Sequence, residues 1–485
     1  MSLVSDILAR IQPGESRLAV VDNRDGFLLR HAQGLCAAAQ RPLKICTGGS
    51  LDLRIIVEAD LADNPGCDFV FVPSCDFVML DDVAAKVRRL TLDVRRLFVR
   101  YHWPTVSTLT LDELEWLYSC RQPVTLSEEA TRRLVADYHK TPGFRQHVIG
   151  RHTAMWDAVV DEADFRKPGD WMPSVASLVL DAVEANCLDG LYSRIEAFNN
   201  RFQSFLAGGY QEIVHSLPGL RPPRIVTHVA QYIARRNDER AALIVVDGMN
   251  FWQSVMLTRK LSESIAGVVI DHGAMLSWLP SVTELSRQAI FKGGDPSWHY
   301  VQNPANEQKL WHRFWADRHV PAVNVGYQHS GRPAPGASVT RFGYVNTELD
   351  AMMHASADYM YLYDDTRRWL ASSGIVGDIE RLLSDGYKLC VTSDHGNVEG
   401  VPYRALAQAD KAGAKADLRY VCLPSMADRE KFEREYAGHV ARPDWSDRVY
   451  YAVGREIFSS RHDIVTHGGT HFLEVVIPFI TIAKE

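Results

Sequence analysis

The sequence predicts an α/β protein: a mostly parallel sheet with flanking helices in the C-terminal half, preceded by a small α/β domain and a helical domain. Three observations predict it. Residues 1–105 alternate short apolar runs with helical patterns, residues 106–235 carry helical spacing alone, and continuous apolar runs return after Ala241. A chain of 485 residues has room for about three domains.

In the first region, Arg17–Asn23 (RLAVVDN), Leu43–Cys46 (LKIC) and Asp68–Pro73 (DFVFVP) are apolar runs that each end close to turn-type residues. Helical patterns over Phe27–Gln40 and Met79–Arg89 lie around them. From about Thr110 the stretches LDELEWLYSC, SEEATRRLVADYH, DWMPSVASLVLDAVEANCLDG and SRIEAFNNRFQSFLAGGY place apolar residues at helical spacing between charged faces. Pro218, Pro222 and Pro223 interrupt this block near its end. Beyond it, AALIVVDGM, GYKLCVTSDHG, LRYVCLP and EVVIPFITIA are the runs expected of strands buried in a parallel sheet. The domains expected are therefore 1–105, 106–235 and 236–485. Residues 298–341, richer in Trp, His, Pro and Gly, are expected to form an insertion or cap.

Composition removes several function classes. Lys and Arg number 53 against 60 Asp and Glu, a net charge of −7, which argues against a protein held on nucleic acid by bulk charge. The 46% apolar share rules out global disorder. Eight cysteines with no CxxC pair argue against a disulfide scaffold or a zinc finger and suit a reducing compartment. The longest apolar stretch, Val475–Ala483, contains Pro478 and is too short to span a membrane. Asp6, Arg10 and Glu15 stand where a signal peptide needs an apolar segment, so a cytoplasmic protein without a membrane partner is expected.

Five short elements carry residues suited to chemistry. Ile244–Asp247 with Gly248 puts a carboxylate at the carboxyl edge of a predicted parallel strand, where open α/β sheets bind ligands, although Asp is also a good turn former. In LPSVTELS, Thr283 sits where a helix begins, and its hydroxyl could attack a phosphoryl group held by the helix N–H groups. Ser281 and Thr283 are also ordinary caps. In NTELDAMMH, Asp350 and His354 share one helix face and could hold one ion or form a plain exposed pair. In KLCVTSDHG a buried strand delivers Asp394 and His395 side by side, suiting zinc or manganese. In THGGTHFLEVVIP, His467 precedes two glycines and a strand, with His471 as a competitor. Taken together, these elements supply six metal ligands and a hydroxyl, and two ions about 4 Å apart can clamp both oxygens of a phosphoryl transfer.

On VVDGM, LPSVTELSRQAIFKGG, VNTELDAMMH, VTSDHGNVEG and THGGTHFLEVVIPFI, the chain resembles the alkaline phosphatase superfamily. Within it the chain is similar to the PglZ domain of bacterial phage-defence (BREX) systems, and VVDNRDGFLL resembles the start of PglZ proteins. The resemblance implies a metal-dependent phosphodiesterase or phosphatase with Thr283 as nucleophile. It implies one divalent ion among Asp247, Thr283, Asp394 and His395 and a second among Asp350, His354 and His467. Zinc comes first, with manganese or magnesium as alternatives. Arg287, one turn after Thr283, and Asn346 are candidate substrate contacts. No other Lys or Arg is placed as a phosphate clamp, and Glu284 follows the nucleophile directly, so a diester with one negative charge fits better than a monoester with two. The partner expected is a phosphoester, with nucleotides and nucleic acid included, together with other phage-defence proteins.

Two further readings stand beside this one. A catalytically weak PglZ scaffold would keep the fold and dock other defence proteins through its helical region. A metal-dependent mutase of the same superfamily would need an Arg-rich second domain that residues 298–341 do not supply. The basic clusters Arg88–Arg96 and Arg221–Arg236 could touch phosphates, or be the solvated face of a helix or a linker.

Overall fold

A computed structural model of the chain describes residues 2–74, 77–120, 122–139, 141–219, 221–407, 414–461 and 464–484. It divides into two compact units, Met1–Phe144 and Arg145–Glu485. The helical stretch expected over 106–235 is thus shared between them, and its larger part folds within the same unit as the C-terminal sheet.

The first unit is a four-stranded parallel sheet in the order β2-β3-β1-β4, built from β1 (Leu18–Asp22), β2 (Leu43–Gly48), β3 (Asp68–Pro73) and β4 (Arg88–Thr91). Side chains on β1 and β3 alternate between two apolar layers. Ala19, Val21, Val70 and Val72 join helix α1 (Leu3–Ile11) and helix α2 (Leu111–Ser119), while Leu18, Val20, Phe69 and Phe71 meet Leu53, Ile56 and Val83. Thr110 and Glu113 close a capping box at the start of α2. The expected Met79–Arg89 helix is corrected to a short helix, Asp81–Ala84, followed by β4. β4 is a sheet-edge strand with a polar, mostly exposed RRLT sequence, so it carries no apolar run to reveal it.

The second unit holds a six-stranded sheet in the order β6-β10-β9-β5-β8-β7. Its strands are β5 (Ala241–Val246), β6 (Val268–Leu276), β7 (Val325–His329), β8 (Arg341–Asn346), β9 (Lys388–Thr392) and β10 (Val476–Lys484). β5, β7, β8 and β9 are parallel, and β10 lies antiparallel between β9 and β6. All six residues of β5 are buried, as its unbroken apolar run requires. Ala242, Ile244 and Val246 face Leu257, Leu349, Trp369, Ile379 and Leu382 in the main core.

Two sequence expectations are corrected here. LRYVCLP does not enter the parallel sheet: Tyr420–Cys422 pairs antiparallel with Lys415–Ala416 and Val449–Ala452 in a separate four-stranded sheet. Residues 298–341 are not an added cap, since they supply a helix, Pro304–Ala316, and the edge strand β7. Only Val325 of β7 is fully buried, so the strand lacks the continuous apolar signature.

The long helix Tyr192–Val214 supports the last loop before β10. Phe198 meets Phe472 edge-on at 5.1 Å, the Gln203 amide donates to the Thr470 carbonyl at 2.7 Å, and the Phe472 N–H donates to Asn199 Oδ1 at 3.2 Å. Among the described residues no helix is long and apolar enough to cross a membrane.

Candidate active site

The strand register brings the chemistry to one edge. Val246 pairs with Asn346 and Val245 with Thr392, so β5, β8 and β9 end side by side and release Asp247, the Asn346 turn and Asp394–His395 at the same level. Gly248 turns the chain with φ 67°, a conformation that favours glycine, and its N–H donates to Asp394 Oδ1 at 3.1 Å. A Cβ at Gly248 would lie 3.1 Å from Asp350 Oδ1, so this turn also allows the close approach of Asp350.

Thr283 is the first residue of α3 (Thr283–Lys292), and Val282 holds the N-cap position. Its hydroxyl is not spent as a helix cap. It lies 3.0 Å from His395 Nε2 and 3.5 Å from Asp247 Oδ1. The start of a ten-residue helix also directs N–H groups and a positive dipole end toward this position.

Each of two buried histidines has one ring nitrogen tied to a carbonyl. His395 Nδ1 donates to Gly396 O at 3.0 Å and His467 Nδ1 donates to Ser281 O at 3.0 Å, which leaves both Nε2 atoms as acceptors. The two rings stack at 3.7 Å with 9° between their planes. Two imidazolium ions cannot share that contact cheaply. Burial, then the charge of His395, pushes His467 well below the usual histidine range. Burial also opposes charge on His395, but Asp394, Asp247 and Asp350 outweigh it and hold its pKa above the ordinary value.

Among the described residues, two groups each have their donor atoms within 4.8 Å of one another: Asp247, Asp394 and His395 in one, and Asp350, His395 and His467 in the other. His395 is common to both. His354 stands at the margin, half exposed, with Nε2 3.6 Å from Asp350 Oδ1 and its ring 5.3 Å from that of His467. Asp394 Oδ2 and Asp350 Oδ1 are buried atoms without a hydrogen-bond partner. Burial, then the charge of Asp394, pushes the Asp247 carboxyl above the usual range, and burial and Asp247 do the same to Asp350. Orphaned carboxylate oxygens beside two imidazole Nε2 atoms, one of them facing the Thr283 hydroxyl, are the donor set that a divalent cation such as zinc or manganese satisfies, so the residues present fit such an ion.

Arg287, expected as a substrate contact, is turned into the protein and only 5% exposed. It donates to Asp247 Oδ2 at 2.6 Å and its Nε lies 2.8 Å from Glu307 Oε1. Asn346, the other expected contact, is buried and structural: its Oδ1 accepts from the Glu348 N–H at 3.1 Å and its main-chain oxygen accepts from Asp247 N at 2.8 Å. Glu284 pairs with Lys415. His471 lies apart from the cluster: its Nδ1 accepts from the Leu473 N–H at 3.2 Å and its Nε2 is 3.8 Å from Glu196.

The site contains two features that the sequence alone does not disclose. Glu307, fully buried on α4 (Pro304–Ala316), also accepts a 2.5 Å hydrogen bond from Tyr327 and reads in sequence like any helix-surface glutamate. The second is the buried ion pair of Arg419 and Glu474, 2.7 Å apart. Glu474 also accepts from the N–H groups of Gly469 and His471 at 2.9 and 3.2 Å, and so fixes the loop that carries His467. In the sequence, its place in THGGTHFLEVVIPFI, after the two glycines that follow His467, is the signal available for it.

Fold and site define a class: an α/β protein with a buried aspartate–histidine cluster and a hydroxyl at a helix start, along the carboxyl edge of its sheet. Residues 225–327 match the family model of PglZ, described as the BREX system PglZ alkaline phosphatase-like domain. The matched span includes Asp247, Thr283, Arg287 and Glu307. Among solved structures, phosphonoacetate hydrolase from Sinorhizobium meliloti 1021 in complex with phosphonoacetate is similar at 12% identity. It covers 50% of this chain and 89% of that one, with a TM-score of 0.34. Murine ectonucleotide pyrophosphatase/phosphodiesterase 5 is similar at 14% identity, covering 50% of this chain and 87% of that one, also with a TM-score of 0.34. No curated protein matches the chain by sequence.

Proposed function

We propose that the chain is a metal-dependent phosphoric ester hydrolase of PglZ type, with diesters as its preferred substrates and phage defence of the BREX kind as its setting. The observation that carries this reading is the Thr283 hydroxyl, 3.0 Å from His395 Nε2 and 3.5 Å from Asp247 Oδ1, beside buried carboxylate oxygens that lack partners.

Asp247, Asp394 and His395, with Thr283, would hold one divalent ion, and Asp350, His354 and His467 the other. Zinc is the first choice for this nitrogen and oxygen donor set, with manganese or magnesium as alternatives. Such ions supply positive charge that lowers the pKa of the Thr283 hydroxyl and offsets charge developing on the phosphoryl oxygens.

The chain's own residues do the rest. Thr283 Oγ attacks phosphorus and the ester oxygen leaves; water then releases the phosphoryl group with Thr283 Oγ as leaving group. The helix start behind Thr283 favours the anionic ester. Ser281 O and Gly396 O hold the two imidazoles in one tautomer. The preference for diesters rests on the cations nearby. Arg287 is engaged by Asp247 and Glu307, and Lys415 by Glu284, so neither is free to neutralise the second charge of a monoester. Nucleotides and nucleic acid are substrates of this class.

The test is hydrolysis of bis-p-nitrophenyl phosphate and p-nitrophenyl phosphate by the full chain, with zinc, manganese or a chelator. Turnover of the diester that exceeds the monoester, disappears on chelation and returns with metal is expected. Protein that binds two ions and turns over neither ester would overturn the reading.

A further inference from the structure

A second charged cleft lies at the opposite edge of the central sheet, where β5 and β8 begin. It is a cavity of about 420 Å³ lined by Gln231, Arg235, Asn237, Trp315, Arg318 and Arg341, among others. Three guanidinium groups line it, and no lining residue is acidic. Asp238, the nearest acid in sequence on one side, is taken by Arg236 at 2.9 Å. Asp317, beside Arg318, is exposed. Among the described residues none of the three arginines makes an ion pair with a carboxylate.

Part of each guanidinium is used to hold it in place. Arg318 donates to the Phe314 carbonyl at 2.9 Å and lies 3.6 Å over the Phe314 ring. Arg341 donates to the carbonyls of Glu239 and Thr340, both at 2.9 Å, and lies 5.2 Å from the Trp315 ring. These contacts leave further N–H groups on both side chains and the whole head group of exposed Arg235. Trp315 supplies an independent sign of a missing acceptor: it is 2% exposed, and its Nε1 donor has no hydrogen-bond partner. Buried polar groups are rarely left in this state. Burial holds the guanidiniums of Arg318 and Arg341 below their usual pKa, with Asp317 and Asp238 offsetting only part of its effect.

We propose that this cleft is a binding site for a compact phosphate polyanion of the pyrophosphate class, separate from the Asp247–His395 cluster. Planar guanidinium forks match phosphate oxygens in pairs, and three converging on one cavity suit a small, densely charged ligand better than a long strand. Such a ligand would bridge the side chains of Arg235, Arg318 and Arg341, the last being the first residue of β8.

The experiment is calorimetric titration of pyrophosphate into the full chain with a chelator present, so that metal-held phosphate is not counted. One equivalent is expected to bind to the wild type and to Asp247→Asn with the same affinity. Binding should weaken at least tenfold in Arg235→Gln/Arg318→Gln, and severalfold in Arg235→Gln alone, a change at an exposed side chain. No binding to the wild type, unchanged affinity in the double variant, or loss of binding in Asp247→Asn would each overturn the assignment. Citrate binding as tightly as pyrophosphate would overturn its phosphate part. The outcome is independent of whether Thr283 is a nucleophile.

Discussion

Ser281 and His467 are tied together through both main chain and side chain. The Ser281 carbonyl accepts from His467 Nδ1 at 3.0 Å, while the Ser281 hydroxyl donates to Gly469 O at 2.8 Å and accepts from Gly468 N at 3.2 Å. The loop that ends in Thr283 and the loop that carries His467 are therefore fastened to each other at three points.

Removing the hydroxyl tests that link. Ser281→Ala leaves the carbonyl in place but strands a buried N–H and C=O, at a cost of about 1–3 kcal/mol in denaturant unfolding. Loss of such an outer support should also weaken metal binding by about 10- to 100-fold. Cobalt titration followed by its visible spectrum reads the second effect directly.

The Arg419–Glu474 pair is fully buried on both sides, so breaking it leaves a bare charge inside the protein. Glu474→Gln alone should cost about 3–5 kcal/mol. Arg419→Met in the same background should return part of that loss, because the stranded charge goes with it. A double-mutant cycle by chemical denaturation measures the coupling.

Gly396 is a sharper probe of packing at the edge of the site. A Cβ there would lie 2.1 Å from the Leu473 carbonyl oxygen, a backbone atom that cannot step aside. Gly396→Ala should destabilise by about 3 kcal/mol or more. Gly377, inside the helix Ile375–Ser384, has nothing within 4 Å of the same position. Gly377→Ala should stabilise by about 0.5–1 kcal/mol, and thermal unfolding distinguishes the two.

Stability should fall in mild acid because of His471. Burial, then the charges of Arg419 and Arg455, holds its pKa well below the ordinary 6.5. The unfolded chain takes up a proton below about pH 6.5 that the folded chain refuses, so stability rises with pH there and is lost as pH falls. Each pH unit below that point should remove about 1.4 kcal/mol for this one group. His471→Asn should flatten the slope between pH 6.5 and 5 in urea titrations followed by fluorescence.

Elements of this architecture differ in how legible they are from sequence. β5 and β9 are buried on both faces, so their apolar runs announce strands and their ends announce Asp247, Asp394 and His395. β4 and β7 lie at sheet edges with half-polar sequences, and no periodicity separates them from loops. Residue types in the right order point to the cluster, but direction does not follow from order. Arg287 shares the helix of Thr283, yet it points at Asp247 and Glu307 because α4 passes beside it, a contact only the tertiary fold creates.

The role of the Thr283 hydroxyl is read by comparing the wild type with Thr283→Ala in the hydrolysis of bis-p-nitrophenyl phosphate with zinc or manganese. The variant is expected to keep its fold and its unfolding midpoint but to lose turnover by at least about a thousandfold, as removal of a nucleophile does. A variant that hydrolyses the diester within tenfold of the wild type would contradict it, and the hydroxyl beside His395 would then be a structural neighbour of the reaction, not its nucleophile.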